Sequence, residues 1–302
     1  MRFGVCYDRS VCEASTCSGT CDSPALRLQQ ETIPAREFSK HDLPGMHILI
    51  TGSALLPTGL RTEQTEESGI NNTVGLLVSI IMPSRPLISL LRLGSVEYGT
   101  ALELQANLAR QRLLRNIPDV LVALEHFPVY TVGKRQTVHN ILSSPAELNE
   151  LGAEVYRTER GGDVTFHGPG QVILYPILNL HDLKLGARKY VNGLEDVMID
   201  AAKAFGVAAK GRVCGQTGVW VGDRKLGAVG VKISAGVTSH GLAFNVNPDL
   251  SFFEHIVPCG IPDKGVTSLH KEMEGMQVPD VNSVREQLIQ SFMDVFCMSP
   301  ST

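Results

Sequence analysis

The sequence predicts an α/β fold in which a mixed β-sheet carries flanking helices. Short apolar strands alternate with amphipathic helices along most of the chain, a pattern typical of layered sheets and helices. From residue 217 to residue 247, however, several β-rich segments follow one another with only turns between them. Adjacent hairpin strands are antiparallel, so a purely parallel sheet is not expected. The 302 residues, 43% of them hydrophobic, suffice for a buried core.

The first half of the pattern predicts five elements. These are a strand over 87–93, a helix over 97–115, a strand over 120–125, a short helix over 142–151 and a strand over 155–158. The first helix places Ala101, Leu104 and Leu108 on one face and ends before Pro118.

The second half predicts a buried strand, a helix, two hairpin strands and a final helix. The strand covers 172–178 and the helix 188–205. The hairpin strands cover 218–221 and 226–234, and the final helix begins near residue 283. Ser283 and Glu286 have the spacing of a capping box at the start of that helix. Its inward face is predicted to carry Val284, Leu288, Phe292 and Val295.

A glycine-rich segment, RGGDVTFHGPGQ, runs from Arg160 to Gln171. Four glycines in this segment allow the backbone to approach a bound chain closely. The segment lacks the Gly-Lys-Ser/Thr ending of a phosphate-binding loop, and glycines of this kind also mark ordinary turns. His126, at the end of the second predicted strand, has two interpretations, a capped core histidine or a pocket wall.

Lys225 and Cys259 have the chemistry that acyl transfer needs. Lys225 is predicted in the tight turn 222–225 between two β-rich segments, and Cys259 lies between Pro258 and Gly260. A thiolate is a nucleophile, and an adjacent amine can hold its proton and return it to a leaving group. Taken alone, however, a lone cysteine is more often a buried apolar residue, and a turn lysine is more often solvated.

Three ordered blocks closely resemble the lipoyl(octanoyl) transferases. They are LEHFPVYTVGKR over 124–135, RGGDVTFHGPGQVILYPI over 160–177, and a run over 217–269 that includes TGVWVGDRK, TSHGLAFNVN and FEHIVPCGI. The resemblance extends from about residue 86 to about residue 296. It implies the catalytic fold of the biotin and lipoate protein ligases, in which a larger and a smaller sheet flank a pocket.

The resemblance assigns roles to particular residues. It implies that Cys259 carries the acyl group and that Lys225 is its acid/base partner. The implied substrate-binding residues are Arg160, Gly161, Gly162, Asp163, Val164, Thr165, Phe166, His167, Gly227, Ala228, Val229, His240, Gly241, Leu242 and Ala243, with His126 and Gly170 as further pocket residues. One departure is Lys232, which stands where arginine is expected in the family, so a role for Lys232 in holding substrate is in doubt.

The implied reaction moves an octanoyl group from acyl carrier protein to a lysine of a lipoyl domain. The acceptors are the lipoyl domains of 2-oxoacid dehydrogenase complexes and the glycine cleavage H protein, and neither cofactor nor metal is expected. Two alternatives remain at this point. One is an ATP-dependent lipoate or biotin protein ligase, and the other is a non-catalytic module that binds lipoyl domains.

Charge and hydropathy restrict the partners. A net charge of −4 and a pI of about 6.1 do not give the basic surface that nucleic-acid binding needs. The longest apolar run, over 74–82, is about half of what a membrane span requires. We therefore expect neither nucleic-acid binding nor a transmembrane segment.

Residues 1–81 are predicted to be a poorly structured N-terminal extension, and residues 82–302 the catalytic domain. The first 81 residues contain six Lys or Arg against nine Asp or Glu, and mitochondrial presequences avoid such acids. Cys6, Cys12, Cys17 and Cys21 lack paired zinc-ligand spacing. From Met82 there is no acid before Glu97, which suggests a working start at Met82 and a mitochondrial enzyme.

Overall fold

A large mixed sheet is the centre of the fold. The computed structural model describes residues 85–135, 140–213, 215–257 and 264–301. In chain order the strands are β1 (Leu87–Val96), β2 (Asp119–His126), β3 (Val129–Val132), β4 (Glu154–Arg157), β5 (Val164–His167), β6 (Gln171–Ile177), β7 (Val219–Val221), β8 (Arg224–Ser234), β9 (Val237–Asn245), β10 (Gly265–Val266) and β11 (Ser299–Pro300). The predicted boundary between residues 81 and 82, and the four early cysteines, lie outside the described residues.

The large sheet has the strand order β10-β8-β9-β6-β2-β1-β11, and β7 also pairs with β8. The β1–β2 pair is parallel, whereas β2–β6, β6–β9 and β8–β9 are antiparallel. The predicted mixed sheet and its run of hairpin strands are confirmed. The reason is that β7, β8 and β9 are joined by short turns, which permit only antiparallel pairing.

A second sheet of three strands, in the order β4-β3-β5, confirms the smaller sheet that the family resemblance implied. Its central strand β3 pairs antiparallel with β5, so that Val132 lies opposite Val164 and Val129 opposite His167. The glycine-rich segment is therefore not only a loop, as its composition suggested. Its centre, Val164–His167, is a buried strand, because Val164 and Phe166 face a hydrophobic cluster that two short β-strands and a helical turn share.

The helices are α1 (Tyr98–Leu113), α2 (Pro145–Glu150), α3 (Ala187–Ala204), a 3-10 helix (Leu250–His255), α4 (Leu269–Glu272) and α5 (Val281–Val295). Helices α3 and α5 form the main core against one face of the large sheet, where Leu194, Val197 and Leu288 are fully buried. Helix α1 packs on the sheet with Ala101 inward. No helix in the described ranges combines the length and the hydropathy needed to cross a membrane.

The start of α5 differs from the prediction. Its N-cap is Asp280, whose Oδ1 accepts a hydrogen bond from the backbone N–H of Ser283 at 2.9 Å. The capping box of Ser283 and Glu286 was therefore wrong. Glu286 instead accepts two hydrogen bonds from Arg92 on β1, at 2.9 and 2.8 Å.

Candidate active site

A cavity between the two sheets brings together the segments that the sequence singled out. We call it the acyl cavity. Its walls come from α1, the glycine-rich segment, β6, β8 and β9, and its lining residues are Tyr98, Arg160, Gly162, Asp163, Val164, Thr165, His167, Tyr175, Ala228, Val229, Gly230, His240, Gly241, Leu242 and Ala243. Most of the predicted pocket residues thus meet in one place, although they lie up to 83 positions apart in the chain.

Small residues form one wall of the acyl cavity. Ala228 on β8 lies directly opposite Ala243 on β9, and Gly230 lies opposite Gly241. A Cβ added at Gly230 would lie 3.1 Å from the Arg160 side chain. Because the side chains on this wall are small or absent, an extended apolar chain has room to lie against the sheet.

Three predicted pocket residues lie behind the cavity wall instead of lining it. Gly227 faces α3, where an added Cβ would collide with the sulfur of Met198. Gly161 donates its backbone N–H to the carbonyl of Val231 at 2.9 Å, which ties the glycine-rich segment to β8. Phe166 stacks on Phe252 with ring centroids 4.5 Å apart, as part of the smaller core.

Arg160 holds the glycine-rich segment against β3. Its guanidinium is buried and donates hydrogen bonds to the carbonyl oxygens of Thr131 and Asp163, each at 2.7 Å, and to the Thr131 hydroxyl at 2.8 Å. Gly162, with φ +88°, allows the backbone to turn around this guanidinium. Arg160 therefore shapes the cavity through the backbone that it positions.

His126 is a buried core residue that supports the cavity from behind. Its Nδ1 lies 2.8 Å from the carbonyl of Val96, which can only accept, so Nδ1 carries the hydrogen. Its Nε2 then accepts from the Tyr175 hydroxyl at 2.8 Å. Burial lowers the pKa of His126 to about 4, which keeps it neutral. Of the two interpretations of His126, a capped core histidine and a pocket wall, the first describes its position. Tyr175 is the residue of this pair that lines the cavity.

Two more neutral histidines lie in the wall. His167 Nδ1 donates to Gln171 Oε1 at 2.6 Å, because the Gln171 amide group is turned to donate to Asn245. Burial, with a contribution from His126, lowers the pKa of His167 to about 3. Burial and then the Arg160 charge lower the pKa of His240 to about 4. The cavity wall therefore carries no charged histidine at neutral pH.

These histidines predict acid sensitivity. An unfolded histidine binds a proton below its ordinary pKa of about 6.5, whereas folded His240 stays neutral down to about pH 4. The free energy of unfolding should therefore fall as the pH drops from 6.5 towards 4, by roughly 1.5 kcal/mol for His240 alone between pH 6.5 and 5. Urea unfolding at both pH values measures this.

A matched variant separates His240 from other titrating groups. Asparagine tolerates the left-handed backbone of His240, which has φ +54°, and does not titrate. His240→Asn should make the loss of stability between pH 6.5 and 5 smaller. An unchanged loss in this variant would contradict the assignment of that pH dependence to His240.

Lys225 lies beyond one end of the acyl cavity, in a small adjoining cavity. Both cavities share Thr165 and Ala228 as lining residues, and the smaller one also includes Phe253 and Val266. The Lys225 side chain is buried, with Nζ donating to the Thr217 carbonyl at 3.1 Å. Lys225 therefore lies in a space that adjoins the acyl cavity at Thr165 and Ala228.

The predicted turn position of Lys225 was wrong. The turn is made by Gly222 and Asp223, and Lys225 is the second residue of β8. Nζ lies 4.7 Å from the ring centroid of Trp220 on β7, which shields it from water. Neighbouring Gly218, with φ +124°, must be glycine because a Cβ there would lie 2.5 Å from the Gly227 carbonyl oxygen and 3.3 Å from Lys225 Cε.

Some predicted residues are elsewhere or outside the described ranges. Gly170, with φ +79°, ends the glycine-rich segment, and its N–H donates to Glu125 at 2.8 Å. Cys259, with Pro258 and Gly260, lies outside the described residues. The described part of the chain holds no cluster of three or more residues suited to a metal.

The sequence did not single out Tyr98, Tyr175 and Gly230 as cavity residues. Tyr175 and Gly230 fall inside the quoted motif blocks, so the blocks themselves carried a signal for them. Tyr98 is the first residue of α1, and its position beside the cavity depends on how that helix packs. No local pattern could have indicated Tyr98.

Comparisons with known proteins agree with this arrangement. The model of the lipoyl protein ligase A/B catalytic domain matches residues 97–293. The mitochondrial octanoyltransferase of Arabidopsis thaliana is 51% identical over 216 residues, which cover 71% of this chain and 91% of that protein. The chain belongs to the octanoyltransferase family. The mitochondrial octanoyl-acyl-carrier-protein:protein N-octanoyltransferase of Danio rerio is 44% identical over 218 residues, 70% of this chain and 94% of its own.

Solved structures support the fold of this octanoyltransferase. Lipoate-protein ligase A bound with ATP superposes with a TM-score of 0.58 at 15% identity, over 72% of this chain and 90% of that one. The putative lipoate protein ligase Ta0514 from T. acidophilum gives a TM-score of 0.56 at 14% identity, over 71% and 87%. The ligase-like fold is confirmed, and the mitochondrial assignment agrees with the names of the eukaryotic relatives.

Proposed function

We propose that this octanoyltransferase moves an octanoyl group from octanoyl-acyl carrier protein to a lysine of a lipoyl domain through a thioester on Cys259. The observation that carries the proposal is the acyl cavity. One of its walls consists of small residues, and it adjoins the cavity that contains the buried Lys225 side chain. The names of the relatives, which are octanoyltransferases, support the same reaction. It is the first step of protein lipoylation.

The segment that carries Cys259 supports this role for the thiol. It is bounded by residues of the Lys225 cavity, since Phe253 precedes it and Val266 follows it. Val266 pairs with Lys225 in the sheet, and the N–H of Thr267 donates to the Lys225 carbonyl at 2.9 Å. The described residues before and after Cys259 in the chain therefore lie beside this lysine.

The chemistry proceeds in two transfers. The Cys259 sulfur attacks the thioester carbonyl while Lys225 takes its proton, and the same proton leaves with the carrier's pantetheine thiolate. The acceptor lysine amine then attacks the enzyme thioester, its proton passes to Lys225, and the Cys259 thiolate departs. The first exchange is nearly isoenergetic, whereas the final amide is more stable than a thioester. The two transfers together therefore need no ATP and no cofactor.

The acceptors proposed for this chain are the lipoyl domains of 2-oxoacid dehydrogenase complexes and the glycine cleavage H protein. Intact mass spectrometry after incubation with octanoyl-carrier protein tests the first transfer, and peptide mapping locates the adduct. We expect one octanoyl adduct on Cys259 that disappears when a lipoyl domain is added. Pyrophosphate release from ATP and free octanoate, without an adduct, would instead indicate a ligase. Tight acceptor binding with neither product would indicate a binding module.

Ala228 is expected to control passage between the acyl cavity and Lys225. It lines both spaces, so Ala228→Leu should obstruct an acyl chain that extends from one to the other. Misplacement of a substrate by about 1 Å can cost on the order of 10²-fold in rate. We expect octanoyl transfer to fall by about that factor and butyryl transfer to fall much less.

Ala204→Leu is the matched control, because Ala204 is exposed on α3 and lines neither cavity. It should leave both rates close to those of the natural protein. Equal losses of octanoyl and butyryl transfer in Ala228→Leu would contradict the proposed path of the acyl chain.

A further inference from the structure

A second groove adjoins the acyl cavity on the far side of His240. We call it the Gln105 groove. It lies between α1, the end of β4 and the strands β8 and β9, and His240 lines both the groove and the acyl cavity. Lys232 on its wall is seven positions from Lys225 along β8, about 23 Å at the usual strand rise. The groove is thus separate from the proposed transfer site.

Gln105 lines this groove and has an unused hydrogen-bond donor. Its side chain is 2% exposed, and Oε1 accepts the backbone N–H of His240 at 2.7 Å. Since that N–H must meet an acceptor, the amide cannot be turned around, and Nε2 is the atom left over. Within the described ranges Nε2 is buried without a hydrogen-bond partner. A buried donor of this kind destabilises the fold unless something accepts from it.

The charges around the groove favour an anion. Arg110, Arg157 and Lys232 line it, against a single acid, Glu159. Glu159 itself pairs with Lys134 at 3.7 Å. Ser239 and Thr158 line the groove as well, and the Thr158 hydroxyl donates to the Val132 carbonyl at 3.2 Å. A ligand that satisfies these groups must be negatively charged and must accept several hydrogen bonds at once.

We propose that the Gln105 groove binds a phosphate group. Phosphate has more acceptor oxygens than a carboxylate, and it suits two arginines, a lysine, an amide and the Ser239 hydroxyl. Its oxygen satisfies Gln105 Nε2. The group could come from a free phosphorylated compound or from the phosphodiester of the donor's pantetheine arm, and the second source alone rests on the proposed function.

The test measures binding directly, without catalysis. The full chain is titrated with inorganic phosphate by calorimetry, with chloride used to keep the ionic strength constant. Gln105→Glu keeps an oxygen for the His240 N–H but replaces the donor by a charged acceptor. We expect Gln105→Glu and Lys232→Gln each to weaken phosphate binding about tenfold or more. Thermal unfolding of each variant verifies that the fold is retained.

Arg188→Gln is the control, because Arg188 is exposed on α3 and lies outside the groove. This substitution removes one positive charge, as Lys232→Gln does. It should bind phosphate within about twofold of the natural protein. No saturable phosphate binding, equal binding of succinate, or binding that Gln105→Glu leaves intact would each overturn the proposal.

The source of the phosphate is decided by donor kinetics. If the donor's arm supplies the phosphate, Lys232→Gln should raise the KM for octanoyl-carrier protein and leave kcat nearly unchanged. If a free compound supplies it, Lys232→Gln should leave that KM unchanged while phosphate binding is lost. Absence of any transfer by the natural protein would refute the proposed function and leave the calorimetric result standing.

Discussion

Lys225→Arg should slow octanoyl transfer almost as much as Lys225→Ala. Alanine has no group that can accept a proton, and a guanidinium stays protonated at any accessible pH, so neither side chain can take the proton of the Cys259 thiol. General acid–base catalysis is typically worth about 10²–10⁴-fold in rate, so single-turnover transfer from octanoyl-carrier protein should fall within that range. A lysine that acted by charge alone would tolerate arginine.

Because Lys225 is buried, its substitution can affect the fold as well as the reaction. Its Nζ lies over the Trp220 ring and donates to the Thr217 carbonyl, so a larger head group would press on β7. Thermal unfolding should therefore accompany the kinetics. Lys232→Arg is the matched control, since Lys232 lies on the same strand, beside the Gln105 groove. It should retain most of the transfer rate.

More than about a tenth of the natural rate in folded Lys225→Arg would lie outside the range of general acid–base effects. Lys225 would then be an electrostatic aid, and the base would be sought elsewhere. His167 and His240 would be tested first, although both are buried and neutral at pH 7.

Cys259→Ser should abolish the octanoyl adduct. A serine hydroxyl is far less acidic than a thiol and needs stronger activation than one lysine provides. Loss of a nucleophile that acts with its base costs on the order of 10³-fold or more, so turnover should be barely detectable. Intact mass spectrometry with octanoyl-carrier protein measures the adduct, and lipoyl-domain modification measures turnover.

Cys297 is the natural control for this experiment. It follows α5, its side chain is only partly buried, and its sulfur lies 3.7 Å from the Asp294 carbonyl, outside both cavities. Cys297→Ser and Cys214→Ser should each form the adduct at nearly the natural rate. An adduct that survives in Cys259→Ser and disappears in Cys214→Ser would reassign the nucleophile.

The sequence by itself determined the elements and the motif residues. Helices α1 and α3 and the hairpin strands β7 to β9 were predictable because hydrophobic periodicity and turn chemistry act over a few residues. The three motif blocks were sufficient to indicate the acyl cavity, since Arg160, Thr165, Ala228 and His240 meet there. Resemblance carried this inference, because composition alone left Lys225 and Cys259 with ordinary explanations.

Only the tertiary structure decided which side chains are buried and what they face. The sequence pattern predicted Lys225 in a turn. In the structure, the pairing of β7, β8 and β10 encloses Lys225 beside Trp220. The packing of α1 on the sheet places Tyr98 in the cavity wall and leaves Nε2 of Gln105 buried without a hydrogen-bond partner among the described residues. Burial depends on contacts between residues far apart in the chain, so no local pattern of residues contains it.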